Sequence, residues 1–224
     1  MTDDAIIEET IQFVKETLKG AEGGHDWFHI QRVFRNTLFI AKDEKVDVLV
    51  ASLGALLHDI ADAKFYNGDE TIGPKMAATF LTSLKVDQKV IDHVVKIIEN
   101  ISYKNSLDPN ANTFTSPELQ VVQDADRLDA IGAIGIARTF NYGGFKNREL
   151  YNPAIPPNLN QSKEAYKKSA APTINHFYEK LLLLKDKMNT QTGKEMAAQR
   201  HQFMLNFLEQ FYAEWNPIGV KEDI

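Results

Sequence analysis

Apolar residues recur at intervals of three and four through most of the chain, the spacing that lines one face of an α-helix. Ile6, Ile7, Ile11, Val14 and Leu18 trace a first helix after Asp3 and Asp4, ending near Gly20. Beyond Gly23 and Gly24, Trp27, Ile30, Val33, Phe34, Leu38 and Ala41 repeat the period, with His25, His29 and Arg32 on a neighbouring stripe. Asp47 caps a third helix, from Val48 to about Ile60, whose apolar residues run nearly all round and so predict burial on most sides. Gly68 and Gly73-Pro74 punctuate the next stretch before a helix through Ala77, Phe80 and Leu84, and Asp87 opens another through Val90, Val94 and Ile98. Ser116-Pro117-Glu118 starts a long helix expected to run through Asp126 and Ile136. Residues 141–161, with their glycines, prolines and asparagines, read as a surface excursion covering a site. Pro172 starts a helix through Leu184, and Thr192-Gly193-Lys194-Glu195 reads as a capping box opening a last helix to about Trp215. No segment alternates as a half-buried strand does, so the expected fold class is all-α.

Composition narrows the function classes. A chain of 224 residues with 43% hydrophobic residues can bury one sizeable core, and no repeat or flexible linker divides it. A formal charge of -6 opposes a phosphate-tracking surface, so no nucleic-acid partner is expected, although a small anion needs only a few local cations. The absence of cysteine excludes disulfides, thiolate metal sites and cysteine nucleophiles. The acidic start, Met1-Thr2-Asp3-Asp4, is unlike a signal peptide, which predicts a cytoplasmic protein. The longest apolar stretch, Val48 to Leu57, is about half of the ~20 residues that span a bilayer, so no membrane partner is expected either.

The chemistry concentrates in a few places: His25-Asp26-Trp27-Phe28-His29, His58-Asp59-Ile60-Ala61-Asp62-Ala63-Lys64, Asp124-Ala125-Asp126-Arg127-Leu128-Asp129, and Arg138. Each alone is weak, since a His-Asp pair also suits an ordinary polar helix end. Together they offer imidazoles and carboxylates, a donor set suited to a borderline divalent ion. Such an ion acidifies water and offsets phosphoryl charge, so the chemistry implied is hydrolysis. Residues two apart on a helix point roughly 200° apart, so only one of Asp124 and Asp126 can face that ion; the other becomes a capping or surface acid.

This pattern resembles the HD-domain phosphohydrolases, whose signature is a His, then His-Asp, then a distant Asp on separate helices. In that family an apolar residue, usually Val, follows the first His by four positions, as in His29-Ile30-Gln31-Arg32-Val33, whereas His25 is followed at that offset by His29. The last Asp precedes a hydrophobic residue two positions on, as in Asp126-Arg127-Leu128. The resemblance therefore implies one divalent metal ion held by His29, His58, Asp59 and Asp126. The opening His25-Asp26-Trp27, Gln123 through Phe140, and Asn175 through Leu181 extend the likeness to small bacterial single-domain HD hydrolases of the YpgQ/YedJ type. It implies a single HD-type domain over residues 1–224, with an HD core at about 20–140, the metal site between core helices, and C-terminal helices at about 162–215 packed on it. The activity implied is a nucleoside triphosphate pyrophosphohydrolase with Mn²⁺; Fe²⁺, Co²⁺, Ni²⁺, Zn²⁺ or Mg²⁺ would also suit the ligands. Alternatives are a 5'-nucleotidase or phosphodiesterase of the HD type, a two-metal enzyme drawing on His93 and His25, and a nucleotide sensor without turnover.

Further roles follow from position. Asp62, one turn after Asp59, is expected to position or deprotonate the attacking water. Lys64 and Arg127 are expected to neutralise phosphate oxygens, Arg127 with a competing role as an orienter of ligand carboxylates. His25 is assigned to substrate or to a carboxylate behind the ligands. Asp129, one turn beyond Asp126, is either a hydrogen-bond acceptor for a ligand or a contact to a sugar hydroxyl. Arg32 and Arg138 read as solvated helix faces, Gly132, Ala133, Gly135 and Ala137 as packing, and His93, His176 and His201 as structural. A small nucleotide is the expected partner, with a homodimer as the base-rate assembly.

Overall fold

The computed structural model describes residues 1–21, 26–61, 69–101, 114–159 and 169–216. Helices α1 (Asp3–Thr17), α2 (Trp27–Ile40), α3 (Val48–Leu57), α4 (Ile72–Ser83) and α5 (Gln88–Asn100) form the first half of the fold. They are followed by α6 (Pro117–Asp129), α7 (Gly132–Phe145), a short α8 (Asn175–Glu179), a 3₁₀ helix (Leu181–Lys187) and α9 (Gln191–Trp215). No strand occurs among the described residues, and no described helix is long and apolar enough to cross a membrane.

Four starts fall where side-chain chemistry places them. Asp26, Asp47, Asp87 and Ser116 each accept a hydrogen bond from a backbone N–H of the first turn of α2, α3, α5 and α6. α3 lies at the centre: every residue from Val50 to Leu57 is buried, and the helix packs against α1, α2, α5 and α6. Its one glycine marks the close crossing with α5, because a Cβ at Gly54 would come within 3.0 Å of Ile97 Cγ2. α2 lies against both α3 and α6, and that three-helix contact brings His29, His58 and Asp126 to one place.

Four local expectations are corrected. The long helix through Asp126 and Ile136 is two helices, because the chain turns at Ala130 and Ile131 and Gly132 takes φ +75°, a left-handed conformation open to glycine. Gly73 and Pro74 lie within the first turn of α4, where proline's missing N–H costs nothing. The last helix is capped by Thr190, whose Oγ1 accepts from Gly193 N, while Thr192 Oγ1 donates to Asp43 Oδ2. The helix expected to run from Pro172 through Leu184 is likewise only one turn of α8, continued as 3₁₀.

The α6–α7 turn leaves no room for a side chain at Gly135, where a Cβ would lie 2.2 Å from the Ala130 carbonyl oxygen. Gly135→Ala is therefore expected to destabilise the protein by about 2 kcal/mol, the scale of overpacking against a rigid backbone. A thermal melt would show it as a fall of about 5 °C in Tm.

Candidate metal centre

His29 stands on the first turn of α2, buried, and His58 is the residue that ends α3. Asp126 stands at the start of the last turn of α6. One nitrogen of each imidazole and one Asp126 oxygen all lie within 4.8 Å of one another. The Asp126 Oδ1 atom is 3.6 Å from His29 Nε2 and 3.8 Å from His58 Nε2, too far for hydrogen bonds and apt for a shared ion.

The other nitrogen of each ring is engaged. His58 Nδ1 is 2.8 Å from the Ala55 carbonyl oxygen, which only accepts, so Nδ1 carries the proton and Nε2 the lone pair. That Nε2 is buried with no hydrogen-bond partner among the described residues. A buried acceptor left this way costs about 1–3 kcal/mol, and a cation at the centre of the trio would satisfy it. His29 Nδ1 is 2.7 Å from Asp129 Oδ2. Burial lowers the His29 pKa despite the opposing hydrogen bond to Asp129, which favours the neutral ring that a metal requires. The residues therefore fit a divalent ion in donor type, spacing and protonation.

Asp59 is not one of the three mutually close groups, although it directly follows His58. Of the two aspartates considered as ligands, Asp126 is the one that lies beside the two imidazoles. Asp124 points the other way and is fully buried, accepting from Asn189 N, Asn189 Nδ2, Thr190 N and Thr190 Oγ1 at 2.8–3.0 Å. It anchors the start of α9 from inside the fold, where a capping or surface acid was expected. Gly193 belongs to the same arrangement, since a Cβ there would lie 2.5 Å from Asp124 Oδ2.

Two substrate assignments are corrected. Arg127 is buried; its NH1 donates to the Lys187 carbonyl oxygen at 2.5 Å and lies 3.7 Å from Asp124. It is next to Asp126 in sequence, hence roughly 100° round the helix, and serves the C-terminal segment. Asp129 is buried and accepts from His29, Arg32 and Arg138, which supports the acceptor reading and removes the sugar contact. Burial alone would raise its pKa, but the hydrogen bonds from His29 and Arg32, with the Arg138 charge, hold it well below the usual carboxylate range.

Arg32 and Arg138, assigned to solvated faces, are the residues that sequence reasoning missed. Arg32 Nε and NH2 donate to the two Asp129 oxygens at 2.6 and 3.0 Å, and Arg138 NH1 donates to Oδ2 at 2.6 Å. Arg32 was detectable as one turn after His29 on the same face; Arg138 carried no local signal. His93 is bonded through Nε2 to Ser116 Oγ at 2.8 Å and lies 3.5 Å from Glu118, apart from the trio. The structural assignment of His176 and His201 agrees with burial, which lowers both pKa values, His176 to about 3. His25, Asp62 and Lys64 lie outside the described residues.

Residues 27–131 match the HD domain family. The chain is 37% identical to YpgQ of Bacillus subtilis over 205 residues, covering 91% of this chain and 90% of YpgQ. Among solved structures, an HD-superfamily hydrolase from Bacillus thuringiensis is 44% identical with a TM-score of 0.76, over 96% of this chain and 100% of its own. YpgQ of Bacillus subtilis, solved in complex with ADP, has a TM-score of 0.72 at 34% identity, over 97% of this chain and 98% of that one. Identity at this level over nearly the whole length, on the same helical fold, shows that the chain belongs to the HD superfamily of hydrolases.

Proposed function

We propose that this protein is a metal-dependent phosphohydrolase of small nucleotides, cleaving a nucleoside triphosphate into monophosphate and pyrophosphate. The observation that carries the reading is the convergence of His29, His58 and Asp126 around a point where the buried His58 Nε2 has no hydrogen-bond partner among the described residues. Asp59 is the proposed fourth ligand, because it adjoins His58 and completes the His-Asp pair of the family. Manganese is the proposed ion; when bound it would supply an acidified water and charge compensation for the phosphoryl group. In this scheme Asp62 takes the proton from the attacking water, whose oxygen bonds to the α-phosphorus as the bond to the bridging oxygen breaks. Lys64 and His25 offset the charge gathering on the phosphate oxygens. The nucleotide class is supported by the ADP bound to YpgQ, a relative of similar length.

The test is release of phosphate and pyrophosphate from a panel of nucleotides by metal-stripped protein given Mn²⁺, Mg²⁺, Co²⁺ or Zn²⁺, beside Asp59→Ala. Pyrophosphate released only with metal and only by the parent protein is the expected result. Inorganic phosphate instead would move the activity to a phosphomonoesterase, and nucleotide binding without turnover would make the protein a sensor.

A further inference from the structure

Beside the candidate metal centre, the Asp129 carboxylate accepts from three side chains without itself belonging to the trio of possible ligands. It is the last residue of α6, where the helix dipole disfavours a negative charge. Three donors from two other helices keep it there: His29 and Arg32 on α2, and Arg138 on α7. Arg32 grips both oxygens, and Arg138 NH1 also reaches the Asp129 carbonyl oxygen at 3.2 Å, so neither the carboxylate nor its backbone can turn freely.

A carboxylate only accepts, so the 2.7 Å contact requires the proton on His29 Nδ1 and leaves the lone pair on Nε2, the atom that faces Asp126. With the wrong tautomer, a hydrogen would stand where the ion must be. We infer that Asp129 is a positioning residue that fixes the tautomer and direction of His29, and that Arg32 and Arg138 hold Asp129 to that task. The inference rests on the metal reading above.

Arg138 gives the inference its reach. It lies beyond residues 27–131, the segment matched to the HD family, on a helix that contributes none of the proposed ligands. It reaches Asp129 only because the chain reverses between α6 and α7, through Gly132 at φ +75° and Gly135 against the Ala130 carbonyl. The small residues after Asp129 thus serve the metal centre by closing the turn that delivers Arg138.

The test compares the full-length parent with Asp129→Ala, Arg138→Met and His58→Ala. The readouts are Mn²⁺ affinity by calorimetry, ¹⁵N shifts of the His29 ring in the metal-free chain, and thermal melts. In the parent, His29 is expected as the Nδ1–H tautomer. Asp129→Ala is expected to mix the tautomers and weaken Mn²⁺ binding about 10- to 100-fold, as loss of an outer partner of a ligand does. Arg138→Met, one contact further out, is expected to weaken it roughly fivefold with the fold intact. A purely structural clamp would lower Tm but leave tautomer and affinity of the folded protein unchanged, and that result would overturn the inference. Mn²⁺ binding lost in His58→Ala but kept at parent strength in folded Asp129→Ala and Arg138→Met overturns the positioning role alone. Binding unaltered in His58→Ala overturns the metal site itself, and the positioning role with it.

Discussion

His58→Ala is expected to reduce metal-dependent hydrolysis by about 1000-fold or more, which is ~4 kcal/mol of transition-state stabilisation at about 1.36 kcal/mol per decade. The size follows from position: His58 Nε2 is buried and unsatisfied, faces Asp126 at 3.8 Å, and nothing else among the described residues offers a replacement nitrogen there. Metal content should fall in parallel, measured as bound Mn²⁺ per chain after gel filtration. Because His58 also ends α3 through its contact to Ala55, a modest loss of stability accompanies the change, and a melt separates the two effects. A folded His58→Ala that kept a tenth of the parent activity would place the chemistry elsewhere.

Asp124→Ala is expected to be the most destabilising single change among the acids of α6. The carboxylate is fully buried, and its removal strands four donors of Asn189 and Thr190 beside a buried Arg127. Breaking such a buried, charge-assisted cluster costs about 3–5 kcal/mol. For a protein of this size that corresponds to a fall in Tm of roughly 10 °C, since each kcal/mol shifts it by about 2–4 °C. Protein that remains folded below that temperature should still bind Mn²⁺, whereas Asp126→Ala should melt near the parent temperature and lose the metal. The opposite pairing, with Asp124→Ala stable and metal-free, would exchange the roles of the two acids.

The contrast between these residues shows what can be read from a one-dimensional pattern. Helical periodicity and capping are short-range, depending on residues within about one turn, so the courses of α1, α2, α3 and α5 and the caps at Asp47, Asp87 and Ser116 were legible before any packing was known. The pairing of His29, His58 and Asp126 was also legible, because donor chemistry and family spacing converge on them. So was the opposition of Asp124 and Asp126, which follows from helical geometry alone.

Other features are set across the fold. Thr190 rather than Thr192 caps α9 because Asp124, 66 positions earlier, holds Thr190 through both its N–H and its hydroxyl. Arg127 serves the C-terminal segment because packing brings the Lys187 carbonyl, 60 positions later, within reach of its NH1. Arg32 becomes more than a surface charge because Asp129, 97 positions away in sequence, lies within 2.6 Å. Arg138 does so because the α6–α7 turn folds it back onto the same acid. Most of the helices, the caps at Asp47, Asp87 and Ser116 and a donor set suited to a metal follow from local geometry and side-chain chemistry, and so are readable from residue order. The charged side chains that stand behind that donor set are chosen by packing, because a buried carboxylate takes whichever donors distant helices bring within reach.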